Sequence, residues 1–208
     1  MPRIAEHRPP AVPTTEVQRE RCDRMLAAAA RLGAEHGLEH VQMHDVAAQA
    51  GVAIGTLYRY YPSKHQLFAG VLGRNVAALE ARPRGVPDDP AQAVADFMAR
   101  SCRDMLRHPR LARAMITSIN AVRSESGDIA DPVMRAQILR VAGVTEPDAD
   151  DVRLARLVEQ CAYGVLTWAV AGESSAADAE EDLRRACMLL LAPWALTRRR
   201  PDRRVSGR

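Results

Sequence analysis

Aromatic side chains are scarce, at 4% of 208 residues. Runs of Val, Ile, Thr and Tyr, which favour strands, are nearly absent. A β-sandwich built from such a chain would have little to pack. Long apolar stretches are missing too. The run Cys187 to Leu196 holds ten residues and includes Pro193, whereas a bilayer span needs about 20. The first residues, Met1-Pro2-Arg3-Ile4-Ala5-Glu6-His7, carry no apolar signal core, so a cytoplasmic protein with no membrane partner is expected. Four cysteines, Cys22, Cys102, Cys161 and Cys187, lie at least 26 residues apart. No CxxC or CxxH pair exists, which excludes a zinc knuckle and leaves buried free thiols as the expectation. No GxSxG, HExxH or glycine-rich phosphate loop appears. Beyond residue 65 the only histidine is His108, beside Pro109. No enzyme, no metal and no cofactor is expected.

What the chain does have is helix-forming material. Hydrophobic residues make up 47% and charged residues 26%, a globular balance dominated by Ala, Leu, Arg and Glu. The net charge of +3 is unevenly spread. Residues 1–82 carry ten Lys/Arg against eight Asp/Glu, residues 83–197 thirteen against seventeen, and residues 198–208 six against one. The end segment Arg198-Arg199-Arg200-Pro201-Asp202-Arg203-Arg204 reads as a disordered basic tail, because like charges and proline oppose helix.

The expected fold is all-α, with about nine helices. Residues 1–13 hold four prolines and read as a flexible arm. Thr15 and Gln18 suit a capping box opening the first helix, with Gly33 and Gly37 as its stop. Short helices fit Met43 to Ala50 and Ile54 to Tyr60, divided at Gly51 and closed by Pro62. Ser63 and Gln66 open a fourth helix, running to about Ala81. Residues 82–90 contain three prolines and a glycine, and form the strongest linker. Two helical domains, over 14–82 and 83–197, are expected. In the second, Asp89-Pro90, Asp131-Pro132, Thr145-Glu146-Pro147-Asp148 and Ser175-Ala176-Ala177-Asp178 mark helix starts, His108-Pro109 a break and Gly172 a stop.

Two short helices joined by a tight turn form a helix-turn-helix in outline, whose second helix enters the major groove. Ile54 to Tyr60 is too short to be a good core element, yet Tyr58, Tyr60 and Tyr61 fall within four positions. A tyrosine can pack on a thymine methyl or sugar and donate to phosphate. Gly55 allows close approach of the backbone, and Thr56 lies on a helix first turn suited to phosphate. Arg59 can meet phosphate or a guanine edge, His44 a base, and Lys64 a phosphate. Each has a plainer role. The tyrosines can be core aromatics, Tyr61 foremost, and Arg59, Lys64 and His44 can be solvated. Leu57 is assigned to the core.

The run from Val46 to Lys64, containing Gly55-Thr56-Leu57-Tyr58 and Pro62-Ser63-Lys64, resembles the DNA-binding signature of tetracycline-repressor-type (TetR-family) regulators. The resemblance covers about residues 15–75. It implies that Thr56, Tyr58, Tyr60 and Lys64 contact operator DNA, with base-reading roles for His44, Ile54 and Arg59. Gln42 and Ala53 depart from the family, which commonly has hydroxyls at these capping positions; Gln is a poor cap and Ala offers none. The segments Val41-Gln42-Met43 and Val52 to Tyr60 also resemble that family's regulators of steroid catabolism.

For the second domain the resemblance implies ligand binding, and dimerisation through its last two long helices. Met98, Met105 and Met115, with Ile119, Tyr163 and Trp168, are candidates to line an apolar pocket; ordinary core packing is their plainer role. The expected activity is repression from a palindromic operator, released by a hydrophobic effector such as a steroid or acyl-thioester metabolite. A DNA-binding regulator or activator without an effector is the alternative.

Overall fold

The computed structural model describes residues 10–79, 87–126 and 133–197. The first nine residues of the arm, most of the linker, the start signal at Asp131 and the basic tail lie outside these described residues. Among them are ten α-helices and no strand: α1 (Glu16–His40), α2 (Met43–Ala50), α3 (Ile54–Tyr60), α4 (Lys64–Ala78), α5 (Pro90–Leu106), α6 (Pro109–Ser126), α7 (Val133–Val141), α8 (Ala149–Ala171), α9 (Ala176–Leu190) and α10 (Ala192–Thr197).

The punctuation in the sequence is used as chemistry requires. The Thr15 hydroxyl accepts from the Gln18 amide at 3.3 Å, and the Gln18 side chain accepts from Thr15 N–H, completing a capping box. Asp89 accepts from Gln92 N–H at 3.1 Å ahead of Pro90, and Ser63 and Ser175 cap α4 and α9. Asp148 and Asp151 form a second capping box on α8, which Gly172 ends.

Three expectations need correction. Gly33 does not stop α1; it is buried inside it. A Cβ there would lie 2.5 Å from Phe68 Cε1 and 3.2 Å from Leu111 Cδ1, so only glycine lets α1 meet α4 and α6 this closely. Gly37 (φ 75) kinks the helix, which resumes to His40. The break at His108-Pro109 is sharper than expected, since Pro109 itself starts α6, where a missing N–H costs nothing. Pro193 likewise sits in the first turn of α10, an extra helix. That helix buries Trp194, whose Nε1–H donates to Asp151 Oδ1 at 2.9 Å.

Two apolar cores result. The first joins α1, α2, α3 and α4, but also takes Leu111, Ala114 and Met115 from α6. The second holds Val94, Phe97 and Met98 of α5, Ile138 of α7, Val158 and Leu166 of α8, Leu183 of α9, and Trp194. Its member from α6 is Ile116, the neighbour of Met115. Helix α6 therefore faces both cores, one residue apart. Charged groups bind α9 to α5 at the surface: Arg103 pairs with Glu180, and Asp96 with Arg184, which also pairs with Glu180 within α9.

Cys22, Cys102 and Cys187 are buried free thiols, and Cys161 is half-buried. Burial first, and then the nearby Glu180, pushes the Cys102 thiol up to about 11. Burial first, and then Cys161, pushes Cys187 up to about 12. The folded state therefore keeps two protons that the unfolded chain releases near pH 9. That stability is complete below pH 9 and is lost as pH rises through 11 and 12. Urea midpoints are expected to fall between pH 9 and 11, and to fall less steeply in Cys102→Ala/Cys187→Ala. Parallel pH profiles would contradict this.

Candidate nucleic-acid interface

Helices α2 and α3 are built around Gly51, whose φ of 64 and ψ of 43 reverse the chain. Its N–H donates to the Ala47 and Ala48 carbonyls. Met43, Val46, Ala47 and Ala50 turn inward from α2, leaving Gln42 and His44 exposed. On α3, Leu57 and Tyr60 are buried, three residues apart on one face. The opposite face presents Ile54, Gly55, Tyr58 and Arg59, with Thr56 half-buried at its edge. Tyr58 is 47% exposed and Ile54 37%, a large outlay of apolar surface for a helix of seven residues. A Cβ at Gly55 would meet nothing within 4 Å, so the surface there is flat and open.

Three side chains stand elsewhere than the sequence suggests. Tyr60, not Tyr61, is the most buried of the three tyrosines, at 5% exposure. It is a support rather than a free probe. Its hydroxyl accepts from Arg59 Nη2 at 3.1 Å, and the guanidinium lies 4.9 Å from its ring centroid. Tyr61 is half-buried, its ring edge against Gly70. Lys64 is not a loose point charge. Its ammonium donates to the carbonyls of Leu38 (3.0 Å) and Glu39 (3.4 Å), satisfying the end of α1. One of its three N–H donors is left over.

Two supports escape a reading of the sequence. Arg24 Nε–H donates to the Ala50 carbonyl at 3.3 Å, fixing the turn to α1. Ala11 N–H donates to the Arg59 carbonyl at 2.9 Å, so the inner end of the expected flexible arm is strapped to the end of α3. Both pair groups far apart in sequence, and neither leaves a local signature.

In the second core a cavity of about 260 Å³ opens between α4, α5, α7, α8 and α9. Met98 and Met105 line it as expected, with Cys102, Met134, Leu166 and Leu183. The other four candidates do not. Met115 packs in the first core, where its sulfur accepts from Asn75 Nδ2 at 3.4 Å. Ile119 is buried on α6 away from the cavity lining. The Tyr163 hydroxyl donates to the Ile116 carbonyl, and Arg123 stacks 4.6 Å from its ring centroid. Trp168 is 61% exposed on α8. Asn75, Val76 and Leu79, at the far end of α4 from Lys64, complete the cavity wall.

Comparison with known proteins places both halves. Residues 25–71 match the model for bacterial regulatory proteins of the tetR family, and residues 88–190 match the tetracyclin repressor-like C-terminal domain. An HTH-type transcriptional repressor of Rhodococcus jostii, KstR, is 32% identical over 193 residues, spanning 91% of this chain and 90% of that protein. The chain belongs to the TetR family.

Another relative, KstR of Mycobacterium tuberculosis, is 32% identical over 184 residues, covering 85% of this chain and 83% of that one. The crystal structure of a TetR transcriptional regulator from Rhodococcus sp. RHA1 superposes with a TM-score of 0.75 at 43% identity, covering 85% of this chain and 97% of that one. The TetR family is one of regulatory proteins, not enzymes. No helix among the described residues is long and apolar enough to cross a membrane.

The two poor caps seen in the sequence are poor in the fold. Neither Gln42 nor Ala53 makes a side-chain cap bond, so the first N–H groups of α2 and α3 are left without one. Ala53→Ser is expected to stabilise the protein by about 1 kcal/mol, measured by urea denaturation. An unchanged or lower midpoint would count against that cap.

Proposed function

We propose that this TetR-family regulator is a homodimeric repressor, released from a near-palindromic operator when a hydrophobic small molecule fills the cavity beside α4. One observation carries the reading: α3 keeps an outward face of Ile54, Gly55, Tyr58 and Arg59 that the protein's own core leaves uncovered. In a major groove, Ile54 suits a thymine methyl, Arg59 a guanine edge or phosphate, and Tyr58 a sugar or phosphate. Gln42 and His44 are exposed at the start of α2, and Thr56 is half-buried on α3, each open to the same duplex. The remaining donor of Lys64 suits a phosphate, and Tyr60 acts through Arg59. The place of such a protein is with the DNA, in the cytoplasm.

Dimerisation is supported by α8 and α9. Leu157 and Trp168 on the one, and Leu189 on the other, are large apolar side chains left exposed in the protomer. A two-fold pairing of these helices covers them and sets the spacing of the two α3 helices. That the relatives named KstR are called transcriptional repressors supports repression. The resemblance of residues 41–43 and 52–60 to regulators of steroid catabolism supports a steroid or its acyl-thioester as the effector.

Coupling runs through α4, which carries Lys64 against the end of α1 and Leu79 against the cavity. An occupant that shifts the cavity end of α4 shifts the other end too. By linkage, effector and operator must weaken each other by the same factor. Sequencing the DNA retained by the purified protein identifies the operator. Effector affinity is then expected to fall when that DNA is present. Equal effector affinity with and without operator would reject the proposal.

A further inference from the structure

A second cleft, of about 460 Å³, lies where the DNA-reading half meets the rest, and no residue of the effector cavity lines it. One wall is the end of α1 around the Gly37 kink, with His36, Leu38, Glu39 and His40. The others are the start of α6 and the last turn of α8, where Ala169 and Val170 stand. Arg110 and Arg113 are one turn apart on α6 and share a face.

Both arginines are held by main-chain groups. Arg110 Nη1 donates to the Glu35 carbonyl on α1 at 2.6 Å, and Arg113 Nη2 donates to the Val170 carbonyl on α8. Among the described residues neither has a carboxylate partner, and the nearby Glu35 carboxylate sits 3.5 Å from His36 instead. A guanidinium carries five N–H donors, so one carbonyl leaves most of its capacity unused. Two permanent cations thus face one lining carboxylate, Glu39. Leu38, Leu106 and Val170 give the same cleft apolar walls.

We propose that this cleft is a second ligand site, for a small organic anion: a carboxylate on a compact apolar body, its head group held by Arg110 and Arg113. A planar carboxylate matches the guanidinium fork, and the volume falls in the range of small-molecule sites. The consequence is regulatory. An anion bonded to both arginines ties α1, which Arg110 already grips, to α6 and α8. It therefore acts on the placement of the DNA-reading half from a site separate from the effector cavity, and does not depend on what fills that cavity.

Calorimetric titration of the full chain at constant ionic strength tests this with benzoate, benzamide and inorganic phosphate. Benzoate is expected to bind, and benzamide and phosphate to bind at least about tenfold more weakly, lacking the charge and the apolar body respectively. Arg113→Met keeps the stem and leaves the Arg110 tie to α1. It is expected to weaken benzoate roughly 10- to 100-fold, with Arg113→Lys falling between. No benzoate binding, equal affinity in wild type and Arg113→Met, or phosphate binding as tightly as benzoate would each overturn the assignment.

Discussion

Replacing Tyr58 and Arg59 together by alanine is expected to weaken operator binding by roughly 30- to 1,000-fold, about 2–4 kcal/mol, without unfolding the protein. Both side chains are exposed and neither belongs to a core, so their loss should leave the thermal midpoint nearly unchanged. The two are expected to fail differently. Tyr58→Ala removes an amphipathic ring, which lowers affinity at most sequences. Arg59→Ala removes a cation and frees the Tyr60 hydroxyl, which now accepts from it at 3.1 Å. It should therefore also flatten the salt dependence of binding by about one unit of slope per protomer. Fluorescence anisotropy with the retained operator, over a series of salt concentrations, measures both. Unchanged affinity in the double variant would remove α3 from the interface.

Phe68→Ala is expected to be the more damaging change to the fold, costing about 3–5 kcal/mol. The ring is fully buried and lies against Gly33 where α1, α4 and α6 meet. Gly33→Ala creates the opposite fault. It gains about 1 kcal/mol of helix propensity. It also drives a methyl to 2.5 Å from the ring, and overpacking costs about 1–3 kcal/mol. The steric term should win, because a buried ring between three helices has nowhere to withdraw. A smaller side chain at the ring's position, Phe68→Leu, should then recover part of the loss caused by Gly33→Ala. Urea denaturation of the four proteins forms a double-mutant cycle. A stabilising Gly33→Ala, or strictly additive losses, would show that the contact is looser than the geometry indicates.

The elements were legible in the sequence wherever a local signal fixed them. Gly51 and Pro62 bound the two short helices, whose limits fall where the sequence puts them. Thr15, Ser63, Asp89 and Ser175 cap helices within three residues of their own positions. What failed was whatever depends on distant partners. Seven residues of helix do not reveal whether Tyr60 or Tyr61 turns inward; the core beneath α3 decides that. Lys64 became a cap because carbonyls 25 and 26 residues away lie within its reach. The methionines proved a weak guide to a cavity, since Met98 and Met115 are equally apolar yet belong to different cores. Pro109 reads as a break in the sequence, although proline in a first turn begins a helix as readily as it ends one.

Leu111, Ala114 and Met115 complete a hydrophobic centre whose other members all come from the first 71 residues. A fragment cut at the proline-rich connection would expose the places those three fill, and would fold poorly by itself. Anyone grafting this reading head onto another sensor should carry the α6 segment across as well. A hybrid joined at the connection alone would inherit a foreign surface under its DNA-reading half, and would lose stability at that seam.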